Sequence, residues 1–182
     1  TQNKKELRRL ADLYLRLTQY DDAMQTLEKV LQLDPTSFDL KCKIGECKIQ
    51  KLEVKVQELQ EKLKKSPQDA KLKQELQKAI QTKSDIEVQE YDLQAKAQPT
   101  NYEIRFKLGT ALYQADRLDE AIVNLQQSMK DVKYSKKSYA CMGQAFLKKK
   151  EFELAIEQFK SLLALLSSKD SDYRDALYSL GS

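Results

Sequence analysis

Apolar and small residues recur along this chain with a period of about 34 residues. From Leu7 run Leu10, Ala11, Tyr14, Ala23, Leu27, Val30 and Pro35. The same offsets from Arg105 give Leu108, Gly109, Leu112, Ala121, Leu125, Ser128 and Lys133, and from Tyr139 they give Met142, Gly143, Phe146, Ala155, Phe159, Leu162 and Ser167. Within each unit these positions keep helical spacing in two blocks, parted by the polar segments 18–22, 115–119 and 148–151. Each unit therefore predicts a helical hairpin. Ala11, Gly45, Gly109 and Gly143, with Ala23, Ala121 and Ala155, let the paired helices approach closely, while Tyr14, Leu27, Phe146 and Phe159 fill the gaps around them. A fixed period of this length predicts an all-α solenoid, in which each unit buries its apolar face only against its neighbours.

One interruption breaks the pattern without changing its phase. Pro35-Thr36-Ser37-Phe38-Asp39 and Pro99-Thr100-Asn101-Tyr102-Glu103 each end a helix with proline and then offer a threonine cap with an acid three residues on. The interval from Pro35 to Pro99 is nearly two periods, so the unit between them holds an insertion of about 30 residues. That insertion carries Ile49, Leu52, Val56, Leu59 and Leu63 at 3–4 spacing, then Ser66-Pro67-Gln68-Asp69 as the start of a new helix, then Leu72, Leu76, Ala79 and Ile86. Folding the chain back pairs Leu63 with Leu72, Leu59 with Leu76, Val56 with Ala79 and Ile49 with Ile86. An antiparallel coiled-coil hairpin projecting roughly 20 Å is the expectation. Lys83 falls opposite Leu52 and Glu90 opposite Gly45, which leaves the seam imperfect. Val54, Ile80 and Val88 lie off the seam, where they would form an exposed apolar surface for a partner or a second copy. The predicted divisions are residues 4–37, 38–101 with the hairpin at about 50–85, 102–135 and 136–169. Residues 170–182, with Tyr173, Leu177 and Leu180, would form a capping helix or the start of a further unit.

Composition adds limits. Four glycines and three prolines among 182 residues, with 33% charged, suit a helical chain better than a strand-rich one. The formal net charge of +4 is spread thinly: basic and acidic side chains are equal in number over 1–37 and nearly so over 38–99 and 100–182. No region is a basic tail. The longest apolar run, 162–166, falls far short of the ~20 residues of a membrane span, so a soluble chain without membrane insertion is expected. Cys42, Cys47 and Cys141 form no paired framework. The absence of histidine removes the commonest partner of zinc or of a thiolate. Reduced structural cysteines, which favour the cytoplasm, are expected, the compartment being otherwise open; no metal or other cofactor is implied.

Small residues at 11, 109 and 143, an aromatic residue or Leu three positions later, Ala at 23, 121 and 155, and Pro at 35 and 99 together resemble the tetratricopeptide repeat family. Departures from the family pattern are the lack of a tryptophan opening any unit, Val132 and Lys133 in place of the terminal proline, and Glu87 where Ala is expected. The resemblance implies a right-handed superhelix whose first helices line a concave groove that holds peptides or extended partner segments. Carried onto this chain, the groove positions are Arg8, Asp12, Leu15 and Arg16; Glu46 and Ile49; Phe106, Thr110, Tyr113 and Gln114; Ala140, Gln144, Leu147 and Lys148. Members that clamp a carboxylate use Lys and Asn one turn apart in the first unit. Arg8 and Asp12 stand there instead.

The aromatic and aliphatic positions Phe106, Tyr113 and Leu147, beside Lys148, would anchor a peptide if exposed, or pack against the adjacent unit if not. Lysines 130, 133, 136, 137, 148, 149 and 150 suggest a nucleic-acid surface, but Asp131, Glu151 and Glu153 interrupt the field and favour a solvated face. No phosphate loop, nucleophile elbow or histidine base is present, so no enzymatic activity is expected. The sequence thus points to a protein-interaction scaffold with a peptide groove and a prong for a second contact or self-association. The alternatives are an architectural spacer between other domains and, less favoured, a nucleic-acid-binding repeat using the Lys130–Lys150 region.

Overall fold

The computed structural model describes residues 2–166 together with Tyr178, and every regular element among them is an α-helix. In order these are α1 (Gln2–Arg16), α2 (Tyr20–Leu33), α3 (Phe38–Lys65), α4 (Ala70–Ala97), α5 (Tyr102–Gln114), α6 (Leu118–Ser128), α7 (Val132–Lys148) and α8 (Phe152–Leu165). They fall into two compact units, Thr1–Glu90 and Tyr91–Ser182. The expected helix in residues 170–182 lies outside the described residues.

Three helix pairs turn in the same way. Thr18, Asp116 and Lys150 have φ of 57°, 62° and 61°, and each sits in the short connection of α1–α2, α5–α6 or α7–α8. One left-handed residue reverses the chain at equivalent repeat positions, at a steric cost for residues that carry a Cβ. The fourth equivalent position, one period after Thr18, is Leu52. It lies inside α3, which continues to Lys65. The apolar spacing of Ile49, Leu52, Val56 and Leu59 gives this helix a further face to bury, and no turn residue stops it.

A second kind of turn joins successive elements. The backbone N–H groups of Ser37, Asp69 and Asn101 each donate to the carbonyl three residues earlier, on Asp34, Ser66 and Gln98, at 3.1 Å. Proline at 35, 67 and 99 supplies the pre-set φ of the turn's second position. The helix caps lie at the turn's last residue. Ser37 Oγ accepts from the Leu40 N–H, Asn101 Oδ1 from Ile104, and Asp69 Oδ1 from Lys71 at 2.9 Å and Leu72 at 3.1 Å. This corrects the expected threonine caps. Thr36 bonds the Asp34 carboxylate instead, and α4 starts at Ala70, leaving Pro67 in the turn.

In the first unit, Ala11, Ala23, Leu27 and Val30 form a core that α3 completes with Leu40, Ile44 and Cys47. α3 runs antiparallel to α2 until Lys51 reaches the Asp21 carboxylate at 2.6 Å. The stretch from Val54 to Lys65 then extends past the start of α2 by roughly 16 Å at ~1.5 Å per residue. There α4 is its companion: Val56, Leu59 and Ala79 are buried together, with Leu72 and Leu76 packed against them. Between these two apolar clusters the contact is ionic. Lys83 Nζ bonds Glu53 at 2.6 Å and Glu87 at 3.3 Å, and Lys48 Nζ bonds Glu90 at 3.3 Å.

The second unit is built around Ile122, Leu125, Met142, Ala145, Phe146, Ala155, Phe159 and Leu162. Close approach depends on glycine here. A Cβ at Gly109 would stand 2.7 Å from Leu125 Cγ, and one at Gly143 would stand 2.6 Å from Phe159 Cζ. By repeat phase the residue facing Gly45 should be Tyr91. The Glu90 carboxylate occupies that space instead, one residue earlier. The 3–4 seam of the long helices and the phase of the hairpin differ by one position, and the seam sets the rotation of α4 at this level. Ser128 and Ser138, both fully buried, satisfy each other at 2.7 Å, and Ser128 also donates to the Leu125 carbonyl.

Candidate functional site

In the second unit, α5 and α7 are neighbours and carry most of the groove positions. Phe106, Tyr113 and Leu147 are half-buried against the unit's core, so each spends one side on packing and keeps the other accessible. The Phe106 ring stacks on Tyr134 with centroids 5.5 Å apart. Tyr134 in turn donates its hydroxyl to Glu103 at 3.0 Å, which fixes the stack. Lys148 Nζ lies 4.4 Å from the Tyr113 ring centre and 3.5 Å from Asp116. Its charge is thus held over an aromatic face, a contact that strengthens when water is excluded. Gln114 and Gln144 are exposed. The Thr110 hydroxyl bonds back to the carbonyls of Phe106 and Lys107 within its own helix. It is half-buried, and so is Ala140.

Groove positions of the first unit are more scattered in character. Asp12, Arg16 and Glu46 are exposed, Leu15 packs on the core, and Arg8 is half-buried with its Nε unpaired. Ile49 is buried, which removes it from any groove surface. Among the off-seam residues, Val54 and Ile80 are 38% and 37% exposed, but Val88 is only 7% exposed. The apolar surface expected at Val88 is therefore absent. Val88 shares a helical face with Ser84 and Ala95, both buried, so the second half of α4 has a covered face besides the one toward α3. Val54 also borders an open cleft of about 350 Å³ with Thr18, Tyr20, Asp22 and the Lys51–Asp21 pair.

The three thiols are held in their protonated form. Burial pushes the Cys141 thiol up to about 11, and burial also raises Cys42 and Cys47. None is poised as a thiolate nucleophile. Among the described residues, no group of three or more His, Cys, Asp or Glu side chains is placed to hold a metal ion. Within the lysine-rich stretch, Lys149 bonds Asp119 at 2.6 Å and Glu151 at 2.8 Å, bonds that raise its pKa, and Lys148 is held as above. No helix among the described residues is long and apolar enough to cross a membrane. Tyr134 is the position that the groove pattern omitted. Its equivalent one period earlier is Thr100, so the repeat carries no signal for it.

The family described as Tetratricopeptide repeat matches residues 5–37. No curated protein matches the chain. Among solved structures, a crystal structure of MamA aligns with 94% of this chain and 80% of its own, at 18% identity and a TM-score of 0.60. A second MamA structure covers 89% and 91% at 17% identity with a TM-score of 0.52. A third, of MamA MSR-1, covers 94% and 98% at 22% identity with a TM-score of 0.50. At such identities the likeness is one of fold, an all-helical repeat fold along most of each chain. With that fold, the family match makes the first hairpin similar to a tetratricopeptide repeat, and its small-residue contacts recur at Gly109 and Gly143.

Proposed function

We propose that this chain is a non-catalytic protein-interaction scaffold and that the α5–α7 face of the second unit takes an extended partner segment. The observation that carries this is the strip of Phe106, Tyr113 and Leu147, half-buried and backed by the core, with Lys148 over the Tyr113 ring and Gln114 and Gln144 exposed beside it. Rigid aromatic anchors flanked by a few polar groups supply most of the energy at peptide interfaces, and little side-chain entropy is lost when the anchors are already packed on one side. The exposed pair Val54 and Ile80 is proposed as a second contact on the α3–α4 hairpin, which we read as the projecting coiled-coil prong.

The test is selection of binders from a displayed random-peptide library on the purified chain, followed by affinity measurement. Gln114→Ala, Gln144→Ala and Lys148→Ala remove only exposed groups and should weaken selected peptides by roughly tenfold or more together. Selected peptides that bind all three variants as tightly as the parent would show that this face is not the site.

A further inference from the structure

The even charge of the three long stretches conceals a local concentration. Residues 62–73, which form the end of α3, the turn and the start of α4, contain five lysines and one aspartate. Of the chain's 32 basic and 28 acidic side chains, those outside this segment are equal in number. The whole formal charge of +4 therefore resides at the far end of the longest helix pair.

Helix stability accounts for only part of this arrangement. Lys62, Lys64 and Lys65 lie in the last turn of α3, where cations complement the helix dipole. Lys71 and Lys73 do the opposite: they open α4, whose first turn has no acidic residue, where a positive charge is unfavourable. All five are exposed, and among the described ion pairs only Lys64 engages a carboxylate, that of neighbouring Glu61 at 2.6 Å. Leu63 is half-buried, so the end of the hairpin presents charge rather than an apolar wedge.

From this we infer that the tip of the α3–α4 hairpin is an electrostatic docking knob for an anionic lipid surface. The lysines leave two helix ends in several directions, which suits end-on contact with a broad plane of negative charge. No arginine and no aromatic residue lies in the segment, so bidentate reading of bases and base stacking are both missing. Lysine acts instead as a hydrated point charge, and attraction to acidic headgroups adds about fivefold in partitioning for each net charge near the membrane. Four such charges give an enhancement of roughly several hundredfold at low salt, falling steeply once the Debye length shrinks below the approach distance.

The experiment is co-sedimentation of the full chain with phosphatidylcholine vesicles containing either none or about 30% phosphatidylserine, with salt varied from about 0.05 to 0.5 M. Binding is expected to the acidic vesicles alone, to weaken as salt rises, and to withstand excess soluble glycerophosphoserine. The quadruple variant Lys62→Gln, Lys65→Gln, Lys71→Gln, Lys73→Gln should lose at least about a hundredfold, with unchanged circular dichroism and a melting temperature no lower than the parent's. A matched variant, Lys29→Gln, Lys41→Gln, Lys130→Gln, Lys160→Gln, carries the same net charge and should still bind. Absence of binding, equal loss in both variants, salt-insensitive binding, or tighter binding to duplex DNA at equal phosphate concentration would each overturn the assignment.

Discussion

The three core glycines face different neighbours, and this predicts different tolerances. At Gly109 and Gly143 an added methyl meets the branched carbon of Leu125 or the ring of Phe159, atoms locked in the core. At Gly45 it meets the carboxylate end of Glu90, which bonds Lys48. Alanine gains up to ~1 kcal/mol of helix propensity over glycine at any of these positions. Overpacking costs about 1–3 kcal/mol where neighbours cannot move. Chemical denaturation should therefore find Gly109→Ala and Gly143→Ala destabilised and Gly45→Ala close to the parent or above it. If Gly45→Ala falls as far as the other two, Glu90 is held more rigidly than this contact implies.

At the level of elements, the α3–α4 pair is held by an apolar cluster near its turn and by an ionic stretch farther from it. Glu87 is the weak point of that stretch. Burial raises its pKa despite the neighbouring Lys83, and Glu53 adds a like charge. A raised carboxyl pKa means that the folded state binds the proton more tightly than the unfolded one. The ionised group is then a penalty at neutral pH that disappears as pH falls through the raised value. Glu87→Gln should accordingly melt above the parent at pH 7, with Lys83 still bonded to Glu53, and the gap should narrow as the pH approaches the ordinary carboxylate range. Melting curves at several pH values read this directly. A gap that widens in acid would show the opposite sign. In both repeats of the second unit the equivalent residue is Ala121 or Ala155, fully buried, so the charge belongs to the long pair alone.

Across the whole molecule, stability is expected to be local because each compact unit buries its own core. Phe159 lies at the centre of the second unit's core, and Phe159→Ala should cost about 3–5 kcal/mol there. In a repeat array such a loss spreads mainly to nearest neighbours. Hydrogen exchange should quicken most in α7 and α8, less in α5 and α6, and least in α1 and α2. Uniform acceleration along the chain would instead mark one cooperative unit.

The helical class, the repeat period and the small-residue contacts were legible in the sequence because 3–4 spacing names the buried face of a helix and a fixed period aligns one hairpin with the next. Several features needed the packed chain. At Gly45 two periodicities disagreed, since the repeat phase sets Tyr91 against it and the fold-back register of the seam sets Glu90 there, and packing decided for Glu90. Nor does periodicity report how many neighbours a helix has, which is why Val88, off the seam, proved buried. The half-burial of Phe106, Tyr113 and Leu147 was likewise undecided by spacing, since it depends on the Tyr134 ring and on core residues from other helices. Local rules of composition act within a few residues, whereas rotation and burial are set by the sum of contacts between elements distant in sequence.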